Sequence, residues 1–320
     1  MALIEPFMVK TSLGTGVDTA VELTAKTGES LLVKDVIIND SDDEYCVLEV
    51  EKTTVGFFRV DGHPLGSHLP SPQAQVAGYQ YLRGIKAGGS ITLLSYMISK
   101  GWMRGYPVAE GQTFRVKPYT SGKKLNDVVI IYEKYDAGDI KATDENGSEA
   151  KTYVFVNYGR PAEDLKASKD YEIKTCVTTE EFPNFPFSES VPSKTTIDIL
   201  AILGTEVIDY DDASNYVQTK FIKAFKGRTC LFDRDKQGLP FYATLFGGIS
   251  AGTYKGRGFS IVGNYSKYDR REPFVPPTPL TFGAGSEVKF FVTAEAVGST
   301  ASIPAKNAEI AVIEKVTVSE

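Results

Sequence analysis

Apolar and polar residues alternate along most of the chain. In "GQTFRVKPY" (111–119), Phe114 and Val116 are separated by Arg115 and follow the glycine turn at Gly111. A period of two of this kind marks a strand with one buried face. The stretch "GSEVKFFV" (285–292) repeats the arrangement, with Gly285 ahead of Val288 and Phe290. One segment departs from the period. In "SITLLSYMISKG" (90–101), Leu93, Leu94, Met97 and Ile98 form a helical stripe, Ser90 stands as a cap and Gly101 as a stop. The pattern therefore predicts an all-β chain with few short helices.

The alternating segments also recur in order. "NDVVIIYEKY" (126–135) is echoed by "NAEIAVIEKV" (307–316), so that Glu133-Lys134 matches Glu314-Lys315. Upstream, "GYPVAEGQTFRVKPY" (105–119) has the same sequence of features as "PPTPLTFGAGSEVKFFV" (276–292), and "EYCVLEVEKTTVGFFRVDGHPLG" (44–66) the same as "NYVQTKFIKAFKGRTCLFDRDKQGLPFY" (215–242). Acidic loops, "NDSDDE" (39–44) and "DYDD" (209–212), precede the earliest pair. The pairs Gly62/Gly238, Gly111/Gly285 and Glu133/Glu314 are offset by 176, 174 and 181 residues, a drift that short loop insertions account for. An internal duplication is expected from this order. "FMVKTSLG" (7–14) pairs more loosely with "TYVFVNYG" (152–159), and "AVELTAKT" (20–27) with "DYEIKTCVTT" (170–179).

The polar, aperiodic stretch "DAGDIKATDENGSEAK" (136–151) reads as a connector, which places a first sandwich at 1–140, the connector at 141–150 and a second sandwich at 151–320. About 140 residues with long connections suit two packed antiparallel sheets, and the eight-strand jelly roll is a common solution of that size. The expected architecture is two tandem jelly-roll-like β-sandwiches.

Composition narrows the function. A formal charge of −6 offers no basic face for phosphates, so direct nucleic-acid binding is not expected. "MALIEPFMVK" has neither a basic nor an apolar leader region, and no apolar run approaches the roughly 20 residues of a membrane span, which predicts a soluble chain without a secretory signal. Cys46, Cys176 and Cys230 are far apart and are expected to be buried free thiols.

Candidate chemistry is sparse. His63 and His68 in "GHPLGSHLP" have no further ligands nearby to complete a metal site and read as loop histidines on or near a subunit surface. Gly248, Ser250 and Gly252 have the G-x-S-x-G spacing but no helical period follows them, and their stretch "GGISAGTYKGRGFSIVG" (247–263) lacks the Gly-Lys-Ser/Thr ending of a phosphate loop. The acidic loops lack the spaced ligands and glycine of a calcium loop. No catalytic residue, cofactor or metal is assigned, and the chain is read as a non-enzyme. "FPNFPF" (182–187) is too stiff for a helix and too apolar for open solvent, so Phe182, Phe185 and Phe187 either cover their own sandwich or lie in a neighbour's groove. With Tyr254 and Arg257 of the glycine-rich loop they form the candidate subunit interface. Trp102 and Tyr106 in "GWMRGYP" are the candidate exposed aromatic face of a ligand-binding alternative.

Two duplicated sandwiches without catalytic motifs resemble the double jelly-roll major capsid proteins of tailless icosahedral viruses. The resemblance covers nearly the whole chain and is one of architecture and length. It implies two rolls side by side, a homotrimer of pseudo-hexagonal outline and trimers tiling a shell in the virion after assembly in the host cytoplasm. It also implies contacts with other virion proteins and an internal membrane, although neither end of this chain offers a basic or amphipathic segment for a membrane surface. The alternatives are a carbohydrate- or receptor-binding sandwich and a sandwich-fold glycosidase, among which fold alone does not choose.

Overall fold

The alternating segments become strands in a computed structural model that describes residues 3–60, 92–140, 150–176, 186–204, 206–232, 238–242, 252–255 and 273–319. Among these residues the chain divides into two compact units between Phe155 and Val156, a few residues beyond the predicted connector, of which 141–149 lie outside the described residues.

The first unit contains β1 (Leu3–Leu13), β2 (Val21–Thr24), β3 (Glu29–Ser41), β4 (Tyr45–Val50), β5 (Thr53–Arg59), α1 (Leu93–Ser99), β6 (Tyr106–Val108), β7 (Thr113–Pro118) and β8 (Leu125–Asp136). They form two antiparallel sheets in the orders β1-β8-β3-β6 and β2-β7-β4-β5. First beside last, then third and sixth, against second, seventh, fourth and fifth is the strand order of an eight-stranded jelly roll. Alternation sets which face is inward. Val128 and Ile130 on β8 lie level with Ile38 and Val36 on β3, and all four are buried. Phe114 and Val116 on β7 are buried from the other sheet, and the Phe114 ring stacks on Tyr106 of β6 at 6.0 Å. Gly56 of β5 has no side chain because a Cβ there would lie 2.6 Å from the Tyr106 hydroxyl oxygen.

Helix α1 forms where the stripe predicts it, with its cap at Thr92. The Thr92 hydroxyl accepts from the Ser95 N–H at 3.0 Å and donates to Asp35 of β3 at 2.5 Å. This single side chain caps the helix and ties it to the sheet. Burial pushes the Asp35 carboxyl up to about 6, opposed by its hydrogen bonds from Thr92 and the Val36 N–H. At the other end Gly101 takes φ +71°, and the N–H groups of Gly101 and Trp102 reach the carbonyls of Ile98 and Met97.

The second unit takes in β9 (Ala150–Pro161) from Val156 onward, and with it β10 (Asp170–Thr175), β11 (Thr195–Gly204), β12 (Val207–Asp212), β13 (Asn215–Lys226), β14 (Thr229–Cys230), β15 (Leu239–Pro240), β16 (Gly252–Lys255), β17 (Leu280–Phe282), β18 (Val288–Val297) and β19 (Ile310–Ser319). The sheet path is β16-β12-β13-β18-β10-β9-β19-β11-β17, with β14 and β15 also on β13. Strand β10 turns a corner in it: Asp170–Glu172 pair with β18, and Ile173–Thr175 pair with β9. Divided at that corner, β9-β19-β11-β17 holds the order of β1-β8-β3-β6, and β10-β18-β13 the order of β2-β7-β4. The segments matched in the sequence fall on β8 and β19, β7 and β18, and β4 and β13, but Val129, Ile131 and Glu133 lie on the half-exposed face of β8 where the matched Ile310, Val312 and Glu314 of β19 are buried. The units part company beyond β13, where β12 and β16 extend the sheet.

Of the cysteines, Cys46 is buried and its thiol is pushed up to about 12 by that burial, whereas Cys176 and Cys230 are half-buried, contrary to the expectation for all three.

Close packing in the second unit is tightest at Gly159 of β9. A Cβ there would lie 2.4 Å from Ile173 Cγ2 and 2.6 Å from the Phe187 ring. We predict that Gly159→Ala destabilises the chain by about 1–3 kcal/mol in denaturant unfolding. Gly283→Ala, which meets nothing within 4 Å, should stay within about 0.5 kcal/mol of the unmodified protein.

Candidate functional site

Several residues singled out in the sequence, His63, His68, Phe182, Phe185 and Arg257, lie outside the described residues. Tyr254 sits on β16 opposite Ile208. Phe187 is described, and it points inward. It is 3% exposed, its ring meets Phe290 of β18 at 5.3 Å and its N–H donates to Thr175 Oγ1 at 2.9 Å. This end of the Phe/Pro segment covers its own sandwich, so Phe187 presents no ring to a neighbouring subunit.

Trp102 and Tyr106 do not form a shared face. Tyr106 is buried in the first core, where desolvation pushes its hydroxyl pKa well above the usual tyrosine value. Trp102 is half-buried with its ring edge-on to Tyr96 of α1 at 5.7 Å. Gly105, with φ +134° between them, turns the chain so that nearness in sequence is not nearness on the surface.

The acidic loops are built into the fold. Asp43 accepts from the Thr120 N–H at 2.5 Å, the Thr120 hydroxyl at 3.0 Å and the Glu44 N–H at 2.7 Å. Asp212 accepts from the N–H and hydroxyl of Ser214, and Asp209 from the Ser302 N–H at 2.8 Å. Their oxygens hold turns together. Among the described residues, no group of three or more His, Cys, Asp or Glu is placed to hold a metal ion.

Two surfaces stand out instead. The first is β1. Large apolar side chains are exposed at Leu3, Ile4, Phe7, Val9, Leu13 and, just beyond the strand, Val17, with Phe7 at 64% and Leu13 at 73%. β1 is the edge of its sheet. Its outward residues continue onto the neighbouring strands, because Val9 lies opposite Ile131 and Thr11 opposite Val129, and Val129 lies opposite Ile37. Contiguous apolar exposure of this kind marks an interaction surface. Pro6, which has no N–H, and Lys10 blunt the strand's free hydrogen-bonding edge, which leaves the apolar face as the adhesive feature. The second surface is on the outer side of β10, β18 and β13, where Phe225 and Phe291 meet edge to face at 5.5 Å and floor a hollow of about 320 Å³.

One buried group was missed by motif searching. On β19, Ile310, Val312, Glu314 and Val316 share the face directed into the second core, and all are buried. Glu314 Oε1 accepts from Asn157 Nδ2 at 3.2 Å, and Oε2 has no hydrogen-bond partner among the described residues. Desolvation pushes this carboxyl up to about 8, against a smaller lowering by Asn157. Parity with Val312 and Val316 was the available signal. Nearby Glu309 is also buried, but the Arg160 guanidinium stands 3.1 Å away to compensate it.

No protein-family model matches the chain, and no curated protein matches it in sequence.

Because the folded-state value of Glu314 lies above the ordinary carboxylate value of 4.5, its contribution to stability is fully present below about pH 4.5. It is lost as pH rises through about 8, when the buried carboxyl must ionise. Glu314→Gln keeps an acceptor for Asn157 without the charge. We predict that the variant gains on the order of a few kcal/mol over the unmodified chain at pH 9, with a smaller difference at pH 5, in urea unfolding followed by circular dichroism.

Proposed function

We propose that the chain is a structural subunit that assembles with copies of itself into a shell, in the manner of a double jelly-roll major capsid protein. Its work lies in surface contacts rather than catalysis. The observation that carries this reading is that each unit places its last strand between its first and its third, with a further short strand beyond the third. An internal duplication gives a simple origin for it. Three such chains would place six similar sandwiches around one axis, so that a pseudo-hexagonal homotrimer tiles a surface with near-equivalent contacts. The apolar exposure of β1 supplies a surface whose burial would drive association. The net charge of −6 favours protein partners, including other virion proteins, over direct contact with nucleic acid.

Size-exclusion chromatography with light scattering tests the reading. The expected species at micromolar concentration is a trimer or larger, held by interfaces of roughly 2,000 Å² or more. The double variant Phe7→Asp/Leu13→Asp should shift the mass toward monomer with an unchanged circular dichroism spectrum, since both side chains are exposed in the single chain. An unmodified chain that stays monomeric contradicts the proposed function. Unchanged assembly of the double variant removes β1 from the interface.

A further inference from the structure

The strand register arranges the outer face of the second unit in rows. Glu172, Phe291 and Lys223 stand side by side across β10, β18 and β13, flanked by a row of Asp170, Thr293 and Phe221 and a row of Lys289 and Phe225. Their alternating neighbours, Phe290, Val292, Ile222 and Ala224 among them, are the buried ones. The Phe225 and Phe291 rings are therefore held half-exposed by the sheet itself, with Asp170, Gly227, Arg228 and Lys289 completing the hollow they floor.

The polar groups around this floor are unequal. Asp170 is occupied, accepting from Lys223 Nζ at 2.8 and 2.9 Å and from the Thr293 hydroxyl at 2.6 Å. Lys289 is paired with Glu287 at 2.6 Å. Arg228 is exposed and has no hydrogen-bond or ion-pair partner among the described residues. It is the second residue of a tight turn between Lys226 and Thr229, whose first residue, Gly227, takes φ +61°. That glycine conformation is what a two-residue hairpin turn of this hand requires, and it fixes the arginine at the rim.

A ring floor with an exposed guanidinium at its edge selects a ligand by two features at once. The two rings stand at 85° to each other, so one of them can offer its face to the apolar C–H side of a sugar ring, and a guanidinium takes a carboxylate through two parallel N–H donors. A neutral sugar would use only the floor, and a small inorganic anion only the rim. The volume lies at the small end of ligand sites and accommodates about one ring. We propose that the Phe225, Phe291 and Arg228 hollow binds a terminal acidic sugar, a pyranose bearing a carboxylate, presented on a glycan. The hollow is shallow and covers one side of its ligand, so a single site binds weakly. Useful retention depends on many copies acting together, and in that respect the proposal rests on the shell-forming reading above.

Saturation-transfer NMR on the full chain, with free N-acetylneuraminic acid, glucuronic acid and glucose as probes, tests the site without requiring assembly. The expected result is transfer to the ring protons of the two acidic sugars, mutual competition between them and no transfer to glucose. Arg228→Ala should weaken binding about tenfold or more, whereas Lys123→Ala, an exposed cation of the first unit, should not change it. Transfer to glucose equal to that of the acidic sugars, or undiminished binding by Arg228→Ala, would overturn the assignment. Retention on a surface coated with acidic glycan separates the two claims. A monomeric chain that binds the free sugars but is not retained contradicts only the shell, and an assembled chain that shows no transfer contradicts only the hollow.

Discussion

Each unit closes by inserting its last strand between its first and third. Strand β8 lies between β1 and β3, and β19 lies between β9 and β11. Neither sheet of this kind can be completed until the end of its unit is available, so the contacts that hold it are among the longest-range in the chain, and folding is expected to be slow for its size. In the second unit the inserted strand is also covered. From Ile310 to Glu314 every residue of β19 is buried, on both faces. A polar residue within a strand buried on both faces carries a cost.

The last strands of the two units carry their glutamates differently. In the first, Glu133 of β8 stays half-exposed, accepts from the Tyr135 hydroxyl at 2.7 Å and lies 3.7 Å from Lys34. In the second, its sequence counterpart Glu314 is enclosed with Asn157. The units also differ on their surfaces. The first concentrates exposed aliphatic and phenylalanine side chains along β1, and the second places rings among cations on an outer sheet face. Under the proposed function, one shared strand order carries two kinds of contact, one for assembly and one for recognition.

Much of this was legible from period and order. The alternation at Phe114 and Val116, and at Val288 and Phe290, gives strands with those residues inward, and the helical stripe gives α1 apart from its cap. Thr92 replaced the expected Ser90 as cap because Asp35, remote in sequence, holds it. What the pattern does not encode is the destination of an apolar face. The apolar residues of "FMVKTSL" read like those of any strand, yet β1 sits at an edge and exposes them. Likewise the aromatic content of "GWMRGYP" does not reveal that Gly105 sends Tyr106 inward, and the prolines of "FPNFPF" do not reveal that Phe187 turns back onto Phe290. The Phe225 and Phe291 pair required the register of β13 against β18, which brings together residues far apart in the chain.

Negative-stain electron microscopy of the purified chain over rising concentration tests the central claim most directly. The account predicts uniform particles of pseudo-hexagonal outline that pack into sheets or closed shells as concentration increases. Fields of separate single chains at every concentration, with no larger particle, would contradict it.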